Sequence, residues 1–287
     1  MKEITVISGK GGTGKTTFTA NLASLLEDLV VGDCDVDAPN LHLLLNPVNK
    51  NEIIHKGAKL AVKNQARCID CGLCYDNCRF NAITADDFQI KNLKCEGCGV
   101  CVEVCPTKAL RMEAIETGSL YEAESKFGDM IHARLIPGAD NSGKLVSEVK
   151  KKASEVAKKK NKDWILIDGS PGIGCPVIAS LTGSDMAILV TEPTKSGFSD
   201  LKRVIEVVHH FNIPAGLVIN KYDLNEEISD QIETYCKQEN IELFTKLPYS
   251  RVIVESLKRG EIFVDNNQDL RKRMISVKSK LIKKLEV

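Results

Sequence analysis

The chain has 287 residues, with 39 Lys plus Arg against 39 Asp plus Glu, 43% hydrophobic residues and 27% charged ones. This composition excludes a disordered chain, and zero net charge gives no general attraction to nucleic acid or to an anionic membrane. No apolar run reaches the ~18 residues of a membrane span, and Met1-Lys2-Glu3-Ile4 opens into a strand pattern with no apolar stretch for a signal peptide. The expectation is a cytoplasmic protein.

Residues 3–8 are a short β-branched run ending at a glycine, and Phe18, Leu22, Leu25 and Leu26 then repeat at helical spacing. Leu29-Val30-Val31 reads as a second buried strand. Strand, loop, helix and strand in that order begin a parallel α/β sheet. The same pattern resumes late, with continuous apolar strands at Trp164–Ile167, Ala187–Val190 and Gly216–Ile219. Helical patterns around 144–158, 197–211, 226–238 and 267–285 separate and follow them. The predicted class is α/β, a mostly parallel sheet covered by helices.

The middle breaks this pattern. Eight of the eleven cysteines fall between Cys68 and Cys105. They form an internal repeat: Cys68, Cys71, Cys74 and Cys78 recur as Cys95, Cys98, Cys101 and Cys105, each displaced by 27 residues. A repeat inside an α/β chain predicts an inserted domain at 59–115, with 1–58 and 116–287 forming the main domain around it. Residues 116–143 read as a hairpin, Tyr121–Ser125 against Met130–Leu135, with a Pro137-Gly138 turn back to the main domain.

Gly9-Lys10-Gly11-Gly12-Thr13-Gly14-Lys15-Thr16-Thr17 links the first strand to the first helix. Glycines let backbone N–H groups wrap a phosphate, and the helix N-terminus adds partial positive charge. Lys15 is placed to reach the β- and γ-phosphates and the Thr16 hydroxyl to bind Mg²⁺. Lys-Gly-Gly-x-Gly-Lys-Thr, with the extra Lys10, resembles the deviant Walker A motif of the MinD/ParA superfamily, which includes the nitrogenase iron protein. The resemblance implies ATP and Mg²⁺ as ligands, and a homodimer in which Lys10 crosses to the partner's nucleotide. Asp33-Cys34-Asp35-Val36-Asp37 looks like the family's switch I: Asp35 orients the attacking water, Asp33 serves the outer metal shell and Asp37 is solvated. Asp168-Gly169-Ser170-Pro171-Gly172 resembles Walker B and switch II, with Asp168 holding Mg²⁺ through water and Gly172 sensing the γ-phosphate. Asn220 resembles the family's adenine-reading asparagine, although Asn-Lys-x-Asp also occurs in guanine readers, and Pro248-Tyr249 falls where the family packs a loop on the base.

Cys-x₂-Cys-x₂-Cys-x₃-Cys, found twice, is the spacing of bacterial ferredoxins, whose fourth cysteine ligates the other cluster. On that wiring one [4Fe–4S] cluster takes Cys68, Cys71, Cys74 and Cys105, and the other takes Cys78, Cys95, Cys98 and Cys101. Zinc is the alternative, since Cys₄ sites also use Cys-x₂-Cys. The resemblance to two-cluster ferredoxins, a small α+β insert, covers about fifty residues. It departs from the pattern at Arg79, where the family often has proline after the fourth cysteine.

Cys175 lies on the switch II loop, at an offset matching a cluster-ligating cysteine of the nitrogenase iron protein. Its two readings are a ligand at a dimer interface and a buried small residue. Cys34 and Cys236 read as structural. The C-terminal run Arg271–Lys284 is basic, with Met274, Val277, Leu281 and Leu285 on one face; it reads as a docked helix with a solvated basic face rather than a membrane anchor. The leading function is therefore an ATP-driven iron–sulfur protein that couples a dimer switch to electron transfer. Its partner is a redox or metallocofactor protein, with no nucleic acid and no membrane span. The alternatives are an iron–sulfur or metal-cofactor carrier and a MinD-like positioning ATPase.

Overall fold

The computed structural model describes residues 1–139 and 142–285; residues 140–141 of the expected 116–143 return segment lie outside them. In chain order the elements are β1 (Lys2–Ser8), α1 (Lys15–Ala23), β2 (Leu29–Asp33), α2 (His42–Leu45), β3 (Val48–His55) and β4 (Ala58–Lys63). Next come α3 (Leu73–Asp76), α4 (Val100–Glu103), β5 (Leu110–Ile115), β6 (Gly118–Ser125), β7 (Gly128–Leu135), α5 (Ser142–Lys159) and β8 (Trp164–Pro171). The chain continues through α6 (Cys175–Leu181), β9 (Met186–Thr191), α7 (Lys195–His210), β10 (Ala215–Asn220), α8 (Glu226–Gln238), β11 (Glu242–Leu247), α9 (Arg251–Lys258) and α10 (Gln268–Leu285).

Two compact units result. The larger comprises Met1–Ile53, Ser119–Pro137 and the chain from Ser142 on. It holds a sheet in the order β11-β10-β9-β1-β8-β2-β7-β6-β3, and every pairing from β11 through to β7 is parallel. Alternate residues of the central strands feed opposite faces, and both faces are covered. Ile188 and Val190 join Phe18 and Leu22 of α1 and Met274, Val277 and Leu281 of α10. Ala187 and Leu189 join Leu201, Val204 and Ile205 of α7 and Ile232 of α8. This explains the uninterrupted apolar runs in the sequence. The four apolar residues of the basic C-terminal helix are buried in the core, so α10 is docked along that face. Among the described residues no helix is long and apolar enough to cross a membrane. Gly216 is required by packing: a Cβ there would stand 2.5 Å from the Phe244 ring.

The smaller unit is mainly Ile54–Gly118. Its β4 and β5 pair antiparallel, Lys63 opposite Leu110, and an isolated bridge joins Ile83 to Ile90. α3 and α4 are single turns that each follow a left-handed glycine, Gly72 and Gly99 (φ 78° for both). These glycines occupy the same place in the two cysteine runs, so the repeat in sequence is also a repeat in backbone conformation.

Candidate functional site

Parallel pairing of β1, β8 and β2 brings three strand ends together, with Val6 opposite Asp168 and Asp168 opposite Asp33. The loop 9–14 leaves β1 at this edge, where ligands of open α/β sheets bind. Gly12 and Gly14 adopt left-handed backbones (φ 80° and 91°), open to glycine without strain. A cavity of about 410 Å³ lies over this loop. Gly11 through Thr17, Asp35, Asn220 and Pro248, from segments far apart in sequence, are among the residues that line it. The Thr13 hydroxyl is buried with no hydrogen-bond partner. An orphaned donor beside a glycine-rich helix N-terminus fits a phosphate oxygen.

Asp168 is fully buried and organises the floor. Its Oδ1 lies 3.0 Å from Lys15 Nζ and accepts from the Thr19 hydroxyl at 2.9 Å, while its Oδ2 accepts from Thr16 Oγ1 at 2.7 Å. Burial alone would lower the Lys15 ammonium. The charge and hydrogen bond of Asp168, with Asp33 and Asp35 further off, instead hold it above its ordinary range. Thr16 and Asp168 are a hard-oxygen donor set suited to Mg²⁺, directly or through water.

Asp33 is buried at the end of β2, where burial and then the neighbouring Asp168 charge push its carboxyl up. Its two oxygens accept the backbone N–H groups of Asp35 (3.1 Å) and Leu41 (3.2 Å), so it ties down the loop that carries Asp35. Asp35 reaches the cavity, and burial raises its carboxyl against the pull of Lys15. Asp37 is exposed. The Gly172 amide, expected to sense a phosphate, donates to the Ser8 carbonyl at 2.9 Å in this state.

Lys10 is held within its own chain. Its Nζ pairs with Glu192 Oε1 at 2.7 Å and donates to Thr194 Oγ1 (3.2 Å) and Ser196 Oγ (3.1 Å). Lys221 is the second cation on Glu192, at 3.2 Å. Burial would raise the Glu192 carboxyl, but hydrogen bonds from Lys10 and Lys221 hold it below the usual range. Asn220 donates from Nδ2 to the Thr13 carbonyl at 2.7 Å, bracing the phosphate loop from the end of β10. Asp223 accepts the Tyr249 N–H at 2.7 Å, which fixes the Pro248-Tyr249 turn at the cavity.

Sequence reasoning missed Thr19 and Glu192, and saw Asp223 only as the last residue of the Asn-Lys-x-Asp motif. Thr19 sits one helical turn after Lys15, a spacing that puts both on one face. For Glu192 there was no local signal beyond a carboxylate at a strand end.

None of the eleven cysteines forms a disulfide. Cys68, Cys71, Cys74 and Cys105 ring one cavity of the smaller unit, and Cys78, Cys95, Cys98 and Cys101 ring another. Each cavity therefore takes three cysteines from one run and the last from the other. Among the described residues no group of three or more His, Cys, Asp or Glu side chains closes on a single ion position. Burial, followed by the nearby Cys95, Cys98, Cys74 and Cys78, pushes the Cys101 thiol up to about 11. Burial would also raise Cys105, but the Ala109 N–H and the Thr107 hydroxyl hold it below its ordinary value. Cys175 is exposed at the start of α6 beside Gly143, so the buried small-residue reading is wrong for it. Cys34 and Cys236 are buried.

Residues 4–263 match the CobQ/CobB/MinD/ParA nucleotide binding domain. The chain is 38% identical over 230 residues to MJ0578 of Methanocaldococcus jannaschii, covering 78% of this chain and 80% of that one. It is 26% identical over 272 residues to the septum site-determining protein MinD of Synechocystis, covering 91% of this chain and 81% of that one. The MinD structure from Pyrococcus horikoshii, complexed with Mg-ADP, superimposes with a TM-score of 0.61 at 22% identity, over 98% of this chain and 95% of that one. With its phosphate loop, buried Asp168 and parallel sheet, the chain belongs to the CobQ/CobB/MinD/ParA nucleotide-binding family of P-loop ATPases.

Proposed function

We propose that the protein is a Mg²⁺-dependent ATPase whose nucleotide-driven dimer switch is coupled to electron transfer through two [4Fe–4S] clusters. The observation that carries the iron–sulfur half is the placement of the eight cysteines: two quartets ring two separate cavities, each completed by the last cysteine of the other run. Soft thiolate ligands in that arrangement suit cubane clusters, which supply one-electron chemistry when bound.

For the ATPase half, backbone N–H groups of 11–14 and Lys15 bind phosphates, Thr16 and Asp168 serve the metal ion, and Asp35 orients the water. Asp168, which pairs with Lys15, would also serve a bound metal ion, and Lys15 would then turn to the phosphates. Lys10 must leave Glu192 to reach a partner's nucleotide. Asn220 and the Pro248-Tyr249 turn close on the base.

The test is anaerobic reconstitution with iron and sulfide, followed by ATP hydrolysis at graded protein concentration. About eight Fe per chain and turnover that rises with dimer content support the reading. Bound zinc without iron absorption rejects the cluster half, and turnover by a demonstrated monomer rejects the shared site.

A second reading is a MinD-like positioning ATPase, favoured by the named MinD relatives and by the exposed basic side chains Arg271, Lys272, Lys283 and Lys284 on α10. ATP-dependent co-sedimentation with anionic phospholipid vesicles supports it. The buried apolar face of α10 argues against it, because insertion would require undocking that helix.

A further inference from the structure

The two cysteine-ringed cavities are built from equivalent positions of the repeat but from different side chains. Lys63, Phe88 and Thr107 line the cavity of Cys68, Cys71, Cys74 and Cys105. Displacement by 27 residues exchanges these for Ile90, Ala61 and Phe80, and all three line the other cavity. Ala109 and Leu110 correspond in the same way to Ala82 and Ile83, which are alike in kind. The shared frame is therefore symmetric, and the differences are confined to a few side chains.

The shielded differences favour added negative charge at the first site; Asp70, whose equivalent in the other run is Gly97, brings only an exposed carboxylate there. The Lys63 side chain is only 4% exposed. Its ammonium donates to the Asp87 carbonyl at 2.7 Å and stands 5.8 Å from the centroid of the Phe88 ring. Its ion partner Asp70, at 3.8 Å, is 63% exposed, so water screens that carboxylate while the cation stays shielded. Asp70 is also 3.3 Å from Cys68 Sγ, a contact that requires the thiol proton and is lost in a thiolate.

Hydrogen bonding to sulfur follows the same asymmetry. Cys105 Sγ accepts the Ala109 N–H at 3.2 Å, and Cys78 Sγ accepts the equivalent Ala82 N–H at 3.4 Å. Cys105 alone has a neighbouring hydroxyl, Thr107 Oγ1 at 3.7 Å, where the other repeat has the Phe80 ring. Glu96 lines the second cavity where the first has Ile69, but like Asp70 it is exposed, so water screens both carboxylates. Arg79 is exposed and lines neither.

We propose that Lys63 and Thr107 are positioning residues that make the site of Cys68, Cys71, Cys74 and Cys105 the higher-potential of two iron–sulfur sites, so that a single electron entering the unit rests there. The inference builds on the iron–sulfur reading above. Reduction adds one negative charge, which a shielded cation and a hydroxyl donor stabilise. The step transfers one electron from an external low-potential donor, which is oxidised, and no bond is made or broken.

The experiment is a dithionite titration of the anaerobically reconstituted full chain, followed by EPR. Two midpoint potentials are expected, and Cys98→Ser, which alters a ligand of the second site, identifies the lower one. Lys63→Met should lower only the higher potential, reducing the ratio of reduced first site to reduced second site about tenfold, or ~59 mV for a one-electron couple. Lys63→Arg should restore it, and Thr107→Val should move the same potential by less. If Lys63→Met does not fold, Ile90→Lys provides the reciprocal test and should raise the lower potential. Two loaded clusters whose higher potential ignores Lys63→Met, or whose lower potential moves instead, overturn the inference alone. A chain that takes up no iron and sulfide overturns the cluster reading and this inference with it.

Discussion

Lys15 Nζ sits 3.0 Å from Asp168 Oδ1, and the two side chains are 6% and 0% exposed. Removing one partner of such a pair leaves the other charge buried alone, a loss of about 3–5 kcal/mol. Lys15→Ala should therefore lose nucleotide binding and also move the urea midpoint down by a corresponding amount. Combining Lys15→Met with Asp168→Asn removes both charges and should recover much of the stability without recovering binding. Calorimetric titration and urea unfolding read the two effects separately; a Lys15→Ala protein as stable as wild type would show that the pair is not closed to water.

The Lys10–Glu192 pair predicts a different behaviour, because it competes with the proposed role of Lys10 across a dimer. Glu192→Gln weakens the hold on Lys10 by about 1 kcal/mol, the upper range for a partly exposed pair. Two such pairs break per dimer, about 2 kcal/mol, so the ATP-dependent dimer should then form at roughly thirtyfold lower protein concentration. Lys10→Ala should bind nucleotide yet fail to dimerise. Sedimentation velocity with and without ATP measures both, and unchanged association in Glu192→Gln would remove the competition from the account.

The exchange of fourth cysteines is separately testable. Cys105→Ser should perturb the cluster of Cys68, Cys71 and Cys74, although it lies in the second run. Cys78→Ser should perturb the cluster of Cys95, Cys98 and Cys101. Iron content and EPR of each variant, compared with Cys71→Ser and Cys98→Ser, decide the wiring. If Cys105→Ser matches Cys98→Ser rather than Cys71→Ser, each run holds its own cluster.

Local chemistry made part of this molecule readable in advance. The apolar strands at 164–167, 187–190 and 216–219 are unambiguous because both faces of the sheet are covered, and the phosphate loop is contiguous. Strand β3 was missed because it is almost wholly exposed and polar; Val48–His55 shows neither alternation nor an apolar run. The short helix α9 was also missed, since its role is to wall the nucleotide cavity with Ile253, Val254 and Leu257. Glu192 became visible only when β9 and β1 aligned side by side, a pairing between residues far apart in sequence. Asn220 could be singled out from its motif, but its bond to the Thr13 carbonyl depends on tertiary packing that no spacing rule encodes.

His132 gives a prediction in pH. It stands opposite Asp33 in the β2–β7 pairing, with its ring stacked 4.9 Å from Tyr121 and 5.9 Å from His42. Its Nε2 is 3.0 Å from Asn49 Oδ1. Burial, with a smaller contribution from His42, pushes His132 down to about 4 from an ordinary value of 6.5. His42 is itself held low by burial and by Arg134. The unfolded chain therefore binds the proton more tightly than the folded one between these values. The contribution to stability is complete above pH ~6.5 and falls as pH drops toward ~4, by on the order of 3 kcal/mol in all. His132→Phe keeps an aromatic ring in the stack but cannot titrate. Between pH 7.5 and 5 its unfolding free energy should change by about 2 kcal/mol less than that of wild type. Urea unfolding of both proteins at the two pH values measures the difference. Parallel curves would mean that His132 accepts its proton in the folded state as readily as in the unfolded one.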